Sequence, residues 1–272
     1  MDIQNLKHKA TELRIDLIKM LEKAGSGHTG GPLGMADIFT ALYFGGLVKY
    51  DAKNPKWEER DRIVLSNGHI CPILYVALAH ADFFPKEALS TLRQLGTMLQ
   101  GHPHRLDTPG VEISSGSLGQ GISAAAGMAL GFKSDKKPNK VICLMGDGEL
   151  EEGSCWEAFM TASRYKLDNL IVIVDRNYLQ IDGHTEDVSC LEDLDKRFEA
   201  FQFNVFRCDG NNMEEFIKTF EKASKPNGKP SVILARTFMG QGVSFMKDDH
   251  SWHGKPPNKQ EAELALKELG GI

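Results

Sequence analysis

Apolar residues near the N-terminus recur at alternating steps of three and four, which is the spacing of one face of an α-helix. The pattern spans 3–24 and stops at Gly25, the residue type that most easily ends a helix in a left-handed conformation. A second apolar pattern spans 36–44 and ends at Gly45-Gly46. The glycine-rich stretch 25–34 between the two patterns is predicted to be a loop.

Short runs rich in β-branched residues alternate with helical patterns along the rest of the chain. Run 170–174 reads LIVIV, an unbroken apolar sequence typical of a strand that is buried on both faces of a parallel sheet. This alternation predicts an α/β fold with a doubly wound, mostly parallel sheet and helices on both faces. Ligands bind such sheets beyond the carboxyl ends of the strands. The predicted strands are 62–66, 141–145, 170–175, 204–208 and 231–235.

The rest of the pattern indicates one continuous unit. Stretches 133–140 and 225–230 are charged and turn-rich, as expected of solvated connections. A last helical pattern covers 260–269. Because no internal repeat or low-complexity linker divides the chain, residues 1–272 are interpreted as a single domain.

Composition and charge narrow the function classes. The chain has 41% hydrophobic residues and a net charge of -5, which favours a folded protein without a nucleic-acid surface. The N-terminus lacks the pattern of a secretion signal, and no apolar run approaches the ~20 residues that cross a bilayer. The cysteines are odd in number and scattered. We therefore expect a cytoplasmic protein with neither a membrane nor a nucleic-acid partner.

Two predicted strand ends carry oxygen ligands. Gly146-Asp147-Gly148 follows strand 141–145, and Asn177 stands 30 residues after Asp147, just beyond LIVIV. A carboxylate, an amide oxygen and a backbone carbonyl, completed by phosphate oxygens and water, form the octahedral shell that Mg²⁺ requires. The flanking glycines would let a diphosphate approach the backbone. A lone GDG is more often an ordinary turn, but the pair favours a metal–diphosphate site.

This pair resembles the thiamine-diphosphate motif, in which GDG is followed further along the chain by asparagine. Other segments resemble one family of that class, transketolase, and they occur in the family's order along essentially the whole chain. They are 26–31 (SGHTGG), 65–69 (LSNGH), 101–103 (GHP), 116–121 (GSLGQG) and 250–254 (HSWHG).

The resemblance implies a cofactor and a metal. Asp147 and Asn177 would bind Mg²⁺ through their side chains and Leu179 through its carbonyl oxygen, with Ca²⁺ or Mn²⁺ as possible substitutes. Glu152 matches a glutamate at the subunit contact of the family. The residues implied to bind thiamine diphosphate are His69, Gly116, Ser117, Leu118, Gly146, Asp147, Gly148, Glu149, Asn177, Leu179 and His250.

The resemblance also implies catalytic histidines. His69 and His250 would touch the diphosphate end or the reacting centre, whereas His28 and His102 would line the substrate channel. Ketol cleavage moves protons to and from sugar hydroxyls, and imidazole does this near neutral pH. Any one histidine by itself is more often structural, so the matching contexts carry the assignment. Three further histidines lack such a context and are interpreted as structural: His8, His80 and His184.

The implied function also requires domains that this sequence does not match. A full-length transketolase continues past the segment like 250–254 into a pyrimidine-binding domain and a C-terminal domain. The pyrimidine-binding domain supplies the glutamate that hydrogen-bonds the cofactor, and no segment here remains to provide it. The resemblance therefore implies a partner subunit with these domains, in an α₂β₂ assembly that acts on sugar phosphates. The contact surface is expected to be apolar around 116–121 and Glu152.

The two chain ends bear on this interpretation. We interpret Met1 and Gly270-Gly271 as genuine termini, with a truncated chain as the alternative.

Alternatives remain open at this point. Within thiamine-diphosphate enzymes, the chain could serve a deoxyxylulose-phosphate synthase-like enzyme or an enzyme that decarboxylates a 2-oxo acid, and outside catalysis it could be a binding module. His102-x-His104 and His250-x-x-His253 could hold zinc, but neither pair has an obvious third ligand. The glycine spacing in 116–121 disfavours a dinucleotide site.

Two departures from the transketolase pattern leave the sugar preference undefined. Ser117 stands where many members have proline, and His104-Arg105-Leu106 replaces a more acidic and aromatic stretch.

Overall fold

The computed structural model describes residues 2–271. Its helices are α1 Ile3–Ala24, α2 Gly30–Phe44, α3 Cys71–His80, α4 Gln120–Ser134, α5 Gly153–Arg164, α6 Thr185–Val188, α7 Leu194–Ala200, α8 Met213–Ala223 and α9 Lys259–Glu268. Its strands are β1 Arg62–Leu65, β2 Val141–Gly146, β3 Leu170–Arg176, β4 Leu179–Gln180, β5 Gly183–His184, β6 Asn204–Asp209 and β7 Ser231–Arg236. Short 3₁₀ turns cover Gly68–Ile70, Lys86–Thr91, Gly148–Glu151 and His250–Trp252.

Across the described residues, the main sheet has five parallel strands in the order β1-β2-β3-β7-β6. The predicted strands are all confirmed to within a residue at each end, because their β-branched apolar runs suit burial on both faces. The register pairs Gly146 of β2 with Asp175 of β3. The carboxyl ends of these two central strands therefore lie side by side.

Alternate residues of each strand enter different cores. Ile142 and Leu144 pack with α1, α2 and α3 on one face, whereas Cys143 and Met145 pack with α4 and α5 on the other. Complete burial of each such aliphatic side chain stabilises the fold by about 1.5–3 kcal/mol. The doubly wound α/β prediction is thereby confirmed.

The first helix begins and ends as its sequence predicts. The Asp2 carboxylate accepts a hydrogen bond from the Gln4 backbone N–H, and Gly25 ends the helix at a φ of 58°. An L side chain adopts that conformation only with strain, so glycine is favoured there. The final helix is also confirmed and starts in a capping box between Asn258 and Glu261.

The predicted loop 25–34 is wrong in its second half, because α2 already begins at Gly30. The glycines there serve close packing. A Cβ on Gly30 would lie 2.3 Å from the Met239 side chain, and one on Gly34 would lie 2.8 Å from the Phe238 carbonyl oxygen. The helix thus packs directly on the segment after β7, and this contact positions the loop that precedes the helix.

None of the helices within 2–271 combines the length and apolar character needed to cross a membrane.

Candidate active site

A cavity of about 670 Å³ opens where the carboxyl ends of β2 and β3 meet. Its size lies within the range of about 300–1,000 Å³ that is usual for cofactor and small-molecule sites. Ser117 and His250, both predicted as site residues, are exposed and do not line the cavity. The other predicted residues all line it: His28, His69, His102, Gly116, Leu118, Gly146, Asp147, Gly148, Glu149, Glu152, Asn177 and Leu179.

Asp147 follows β2 and is held by three donors. One carboxylate oxygen, Oδ1, accepts from the Gly148 N–H at 2.8 Å, and Oδ2 accepts from the Tyr178 N–H at 2.7 Å and from Arg176 Nη1 at 3.3 Å. A carboxylate offers about four lone pairs, so one remains, on Oδ1. Burial raises the pKa of Asp147 to about 6, while Arg176 and the backbone donors act in the opposite direction.

Asn177 follows β3 and is fixed in one orientation. Its Nδ2 donates to Asp175 Oδ2 at 3.0 Å, and its Oδ1 accepts from the Leu179 N–H at 2.8 Å. Asp175 also accepts from the Thr237 hydroxyl, and burial raises the pKa of Asp175 to about 7. The Asn177 amide oxygen keeps one lone pair. We call Asp147, Asn177 and Leu179 the oxygen shelf.

The oxygen shelf is a sparse ligand set. Within the described part of the chain, no three His, Cys, Asp or Glu side chains are grouped as a metal site. The two histidine pairs considered for zinc therefore gain no third ligand there. A metal on the shelf would need further oxygen atoms, and a diphosphate carries such oxygens.

Glu149 lines the cavity, but both of its oxygens are engaged by the protein. Oε1 accepts from the Ser66 hydroxyl and from the Gly119 N–H, and Oε2 accepts from the Gly146 N–H at 3.1 Å. These contacts join the ends of β1 and β2 to the start of α4. Burial raises the pKa of Glu149, against the effect of these donors. Glu149 thus supports the loops that form the cavity.

Three imidazole rings also meet in the lining of the cavity. His28, His69 and His253 have ring centroids 5.0–5.6 Å apart, and we call them the histidine cluster. Burial lowers the pKa of His28 to about 4 and that of His69 to about 3, and neighbouring histidines add to both effects. Burial also lowers the pKa of His253. All three rings are therefore uncharged at neutral pH.

His102 lies beside this cluster. A Cβ on Gly116 would lie 3.4 Å from the His102 ring, so the ring rests over the glycine of the GSLGQG segment. Burial lowers the pKa of His102, and the charge of Arg93 lowers it further.

The sequence predicts His250 at the cofactor, but its side chain is exposed and does not line the cavity. His250 begins the turn His250–Trp252, whereas His253, three residues later, lines the cavity. The segment HSWHG contains both histidines, and its pattern alone does not say which one turns inward. A Cβ on Gly254 would lie 3.8 Å from His28 Nε2, so the residue after His253 lies next to His28.

Several polar atoms of the cavity wall lack a partner. Within residues 2–271, Asn67 Oδ1, Gln180 Oε1, His28 Nδ1 and His253 Nδ1 are buried and make no hydrogen bond. Buried polar atoms are rarely left unsatisfied in folded proteins, and each such atom is costly. A hydrogen-bond donor on a ligand, such as an amino group, would satisfy the two amide oxygens, and the imidazole nitrogens can donate to phosphate oxygens. The wall therefore fits a cofactor that carries both kinds of group.

The apolar contact surface expected around 116–121 and Glu152 stays a prediction. The exposed side chains at these positions are Ser117, Gln120 and Glu152, which are polar. A large exposed apolar side chain in the same cavity lining is Ile181, and Met160 on α5 is another exposed apolar residue.

A parallel α/β sheet with oxygen ligands at neighbouring strand ends and unsatisfied polar atoms in one cavity defines a cofactor-binding enzyme domain. Residues 6–271 match the family described as transketolase, thiamine diphosphate binding domain. The chain belongs to this family.

Known relatives differ in how much of their length the chain covers. It is 43% identical to the 6-deoxy-6-sulfo-D-fructose transketolase subunit SqwG of Clostridium sp. (strain MSTE9), over 97% of this chain and 96% of that protein. It is 43% identical to one of the subunits of apulose-4-phosphate transketolase from Actinobacillus succinogenes, over 97% and 94%. Human transketolase is 41% identical, but the match covers only 42% of that protein.

A solved transketolase structure has the same fold as this chain. Transketolase from Campylobacter jejuni superimposes with a TM-score of 0.93 and 38% identity, over 99% of this chain and 43% of that chain. The chain therefore spans less than half of this transketolase, and almost all of the two relatives that are named as subunits.

Proposed function

We propose that this chain is the diphosphate-binding subunit of a split transketolase. The enzyme would transfer a two-carbon ketol unit from a ketose donor to an aldose acceptor, with thiamine diphosphate and Mg²⁺ as cofactors. The observation that carries the proposal is a cavity that both the oxygen shelf and the histidine cluster line. The family membership and the subunit-like length support it.

The oxygen shelf would hold the metal and the diphosphate. The Asp147 carboxylate and the Asn177 amide oxygen each retain one lone pair, and the Leu179 backbone lines the same wall. Gly148 follows the strand end and would let phosphate oxygens approach the backbone. When bound, thiamine diphosphate supplies the carbanion stabilisation that ketol transfer requires. The residues of this chain would position the cofactor and bind its metal ion.

The histidines would bind and deprotonate sugar hydroxyls. A neutral imidazole can accept a proton, and the unsatisfied Nδ1 atoms of His28 and His253 give it a free hydrogen-bonding position. A bound diphosphate beside His69 would favour the charged form and raise its pKa towards neutrality. We assign His28 and His102 to the sugar and His69 and His253 to the reacting end.

A partner subunit would carry the pyrimidine-binding and C-terminal domains. The two subunit-type relatives end near the same length as this chain, which supports a split enzyme. Glu152 lies exposed at the cavity edge, where such a partner would meet it. Two-fold closure of this pair makes α₂β₂ the expected assembly. The cysteines are all free, which supports a reducing cytoplasm.

The donor is proposed to be a ketose that carries an anionic group. The names of the relatives mention a sulfonated fructose and apulose 4-phosphate, which are both anionic sugars.

The test is an assay of ketol transfer with anionic ketose donors, aldose acceptors, Mg²⁺ and thiamine diphosphate. The chain is assayed alone and with the candidate partner subunit. We expect turnover only in the mixture, and none when the chain carries Asp147→Asn. Transfer by the chain alone, at a rate that the partner does not change, would refute the split enzyme.

A further inference from the structure

Arg176 is the last residue of β3, and only 1% of its surface is exposed. Its guanidinium is charged at any accessible pH, and a buried charge is costly unless it is well paired. Arg176 lines no part of the cavity and has no role in the proposed chemistry.

The guanidinium joins two separate parts of the chain. Nη1 donates to Asp147 Oδ2 at 3.3 Å and to the Thr185 hydroxyl at 3.0 Å. Nη2 donates to Glu186 and, at 2.8 Å, to Glu192. Nη1 thus reaches both the oxygen shelf and segment 185–192, and Nη2 reaches that segment.

Further contacts extend both sides of this connection. The guanidinium lies 3.8 Å from the centroid of the Tyr178 ring, and the Tyr178 N–H donates to Asp147. On the far side, Glu186 Oε2 accepts from the backbone N–H groups of Leu191 and Glu192, both at 3.2 Å. Glu186 therefore hydrogen-bonds the backbone of its own segment and Arg176 at the same time.

We propose that Arg176 is a positioning residue that joins the oxygen shelf and segment 185–192 into one cooperative unit. The position of Asp147 then depends on Glu186 and Glu192, two carboxylates outside the cavity wall. The inference deepens the proposed function, because it rests on the shelf as the metal and diphosphate site.

Lysine cannot make this connection. The planar fork of arginine presents several N–H donors in fixed directions and stacks on an aromatic face, whereas an ammonium group is a compact point charge. If charge alone mattered, Arg176→Lys would preserve the unit.

The test is amide hydrogen exchange on the full chain without ligand. We compare the wild type with Glu192→Ala. The Glu192 side chain is 38% exposed, so its removal leaves little empty space in the interior. The change removes the bond from Arg176 and a bond from the Leu194 N–H at 3.3 Å. Loss of the charged bond to Arg176 should speed exchange in segment 185–192, and equally at the Tyr178 and Leu179 amides, by about tenfold or more. Arg207→Met is the matched control, since Arg207 pairs at the surface with Asp195 alone.

Faster exchange confined to 185–192, with Tyr178 and Leu179 at wild-type rates, would overturn the proposal. Arg176→Lys is expected to act like Glu192→Ala, and wild-type exchange in this variant would overturn the directional role of the guanidinium.

Affinity for thiamine diphosphate with Mg²⁺, measured on the assembled enzyme, separates this inference from the proposed function. Loss of affinity in Asp147→Asn and a smaller loss in Glu192→Ala are expected. Full affinity in Asp147→Asn would refute the proposed cofactor site, whereas full affinity in Glu192→Ala alone would refute only the role of Arg176.

Discussion

The oxygen shelf and the histidine cluster share one cavity but are built differently. Shelf residues follow two strands that pair directly, with Gly146 opposite Asp175, and their polar atoms are fixed by backbone N–H groups. The cluster gathers His28, His69 and His253 from loops after α1, β1 and β7. Its nitrogens include two that lack a partner within the described residues.

Because of this difference, changes at the two regions should affect different properties, namely cofactor binding and turnover. The shelf is preorganised by short-range contacts, so a change there should act mainly on cofactor affinity. The cluster is uncharged and incompletely hydrogen-bonded, so a change there should act mainly on proton transfer and on the pH dependence of stability.

The largest effect is expected at His253. In the assembled enzyme, His253→Asn should lower kcat/KM by about 10²–10⁴-fold, because positioned proton transfer contributes about that much. Steady-state assays of ketol transfer measure it.

His250→Asn is the matched control, three residues away and exposed. It should stay near the wild-type rate. A severe loss in His250→Asn with an active His253→Asn would reverse the assignment that we propose.

The next effect concerns the shelf. Asp147→Asn keeps the size of the side chain but removes its charge, and it should weaken binding of thiamine diphosphate with Mg²⁺ by at least about 100-fold, since even outer-shell changes at metal sites cost about 10–100-fold. Calorimetry on the assembled enzyme gives the affinity. Asp182→Asn, an exposed neighbour, serves as the control. Equal affinities for all three proteins would contradict the metal assignment.

A smaller effect is expected on the free energy of unfolding. Glu149→Gln places an amide N–H₂ against backbone donors in a buried site, so the fold should lose about 1–3 kcal/mol. Urea titration measures this loss. Glu157→Gln on the exposed side of α5 should be neutral, and an equally neutral Glu149→Gln would show that the loops do not depend on this carboxylate.

The smallest effect is a pH dependence. The folded-state pKa of His28 is about 4, below its ordinary value of 6.5, so the unfolded chain binds protons more readily between these values. The free energy of unfolding should therefore have its full value above pH 6.5 and decrease as the pH drops towards 4. His28→Asn should flatten this slope in urea titrations at several pH values. An unchanged slope would mean that His28 is not buried as described.

The same contrast explains what the sequence could predict. The strands follow from short apolar runs, and GDG and Asn177 come directly after two of these runs, so the sequence predicts the strands and the side-by-side position of these residues at the strand ends. The start of α2 was missed because the packing that requires Gly30 comes from Met239, far along the chain. His253 was missed for a similar reason, since only the tertiary fold places it against His28 and His69.

Arg176 shows a further limit. It directly precedes Asn177 in the sequence, but its partners Glu186 and Glu192 lie on a segment without a regular pattern. No periodicity could have indicated that a residue at a strand end would be buried among carboxylates.

The most direct test locates the metal. Crystals of the assembled enzyme grown with Mn²⁺ and thiamine diphosphate would show the ion by its anomalous scattering. The account predicts one peak on the oxygen shelf, about 2.1 Å from the Asp147 carboxylate and the Asn177 amide oxygen, which is a usual distance for a small divalent ion bound by oxygen. A peak among His28, His69 and His253, with the shelf empty, would contradict it.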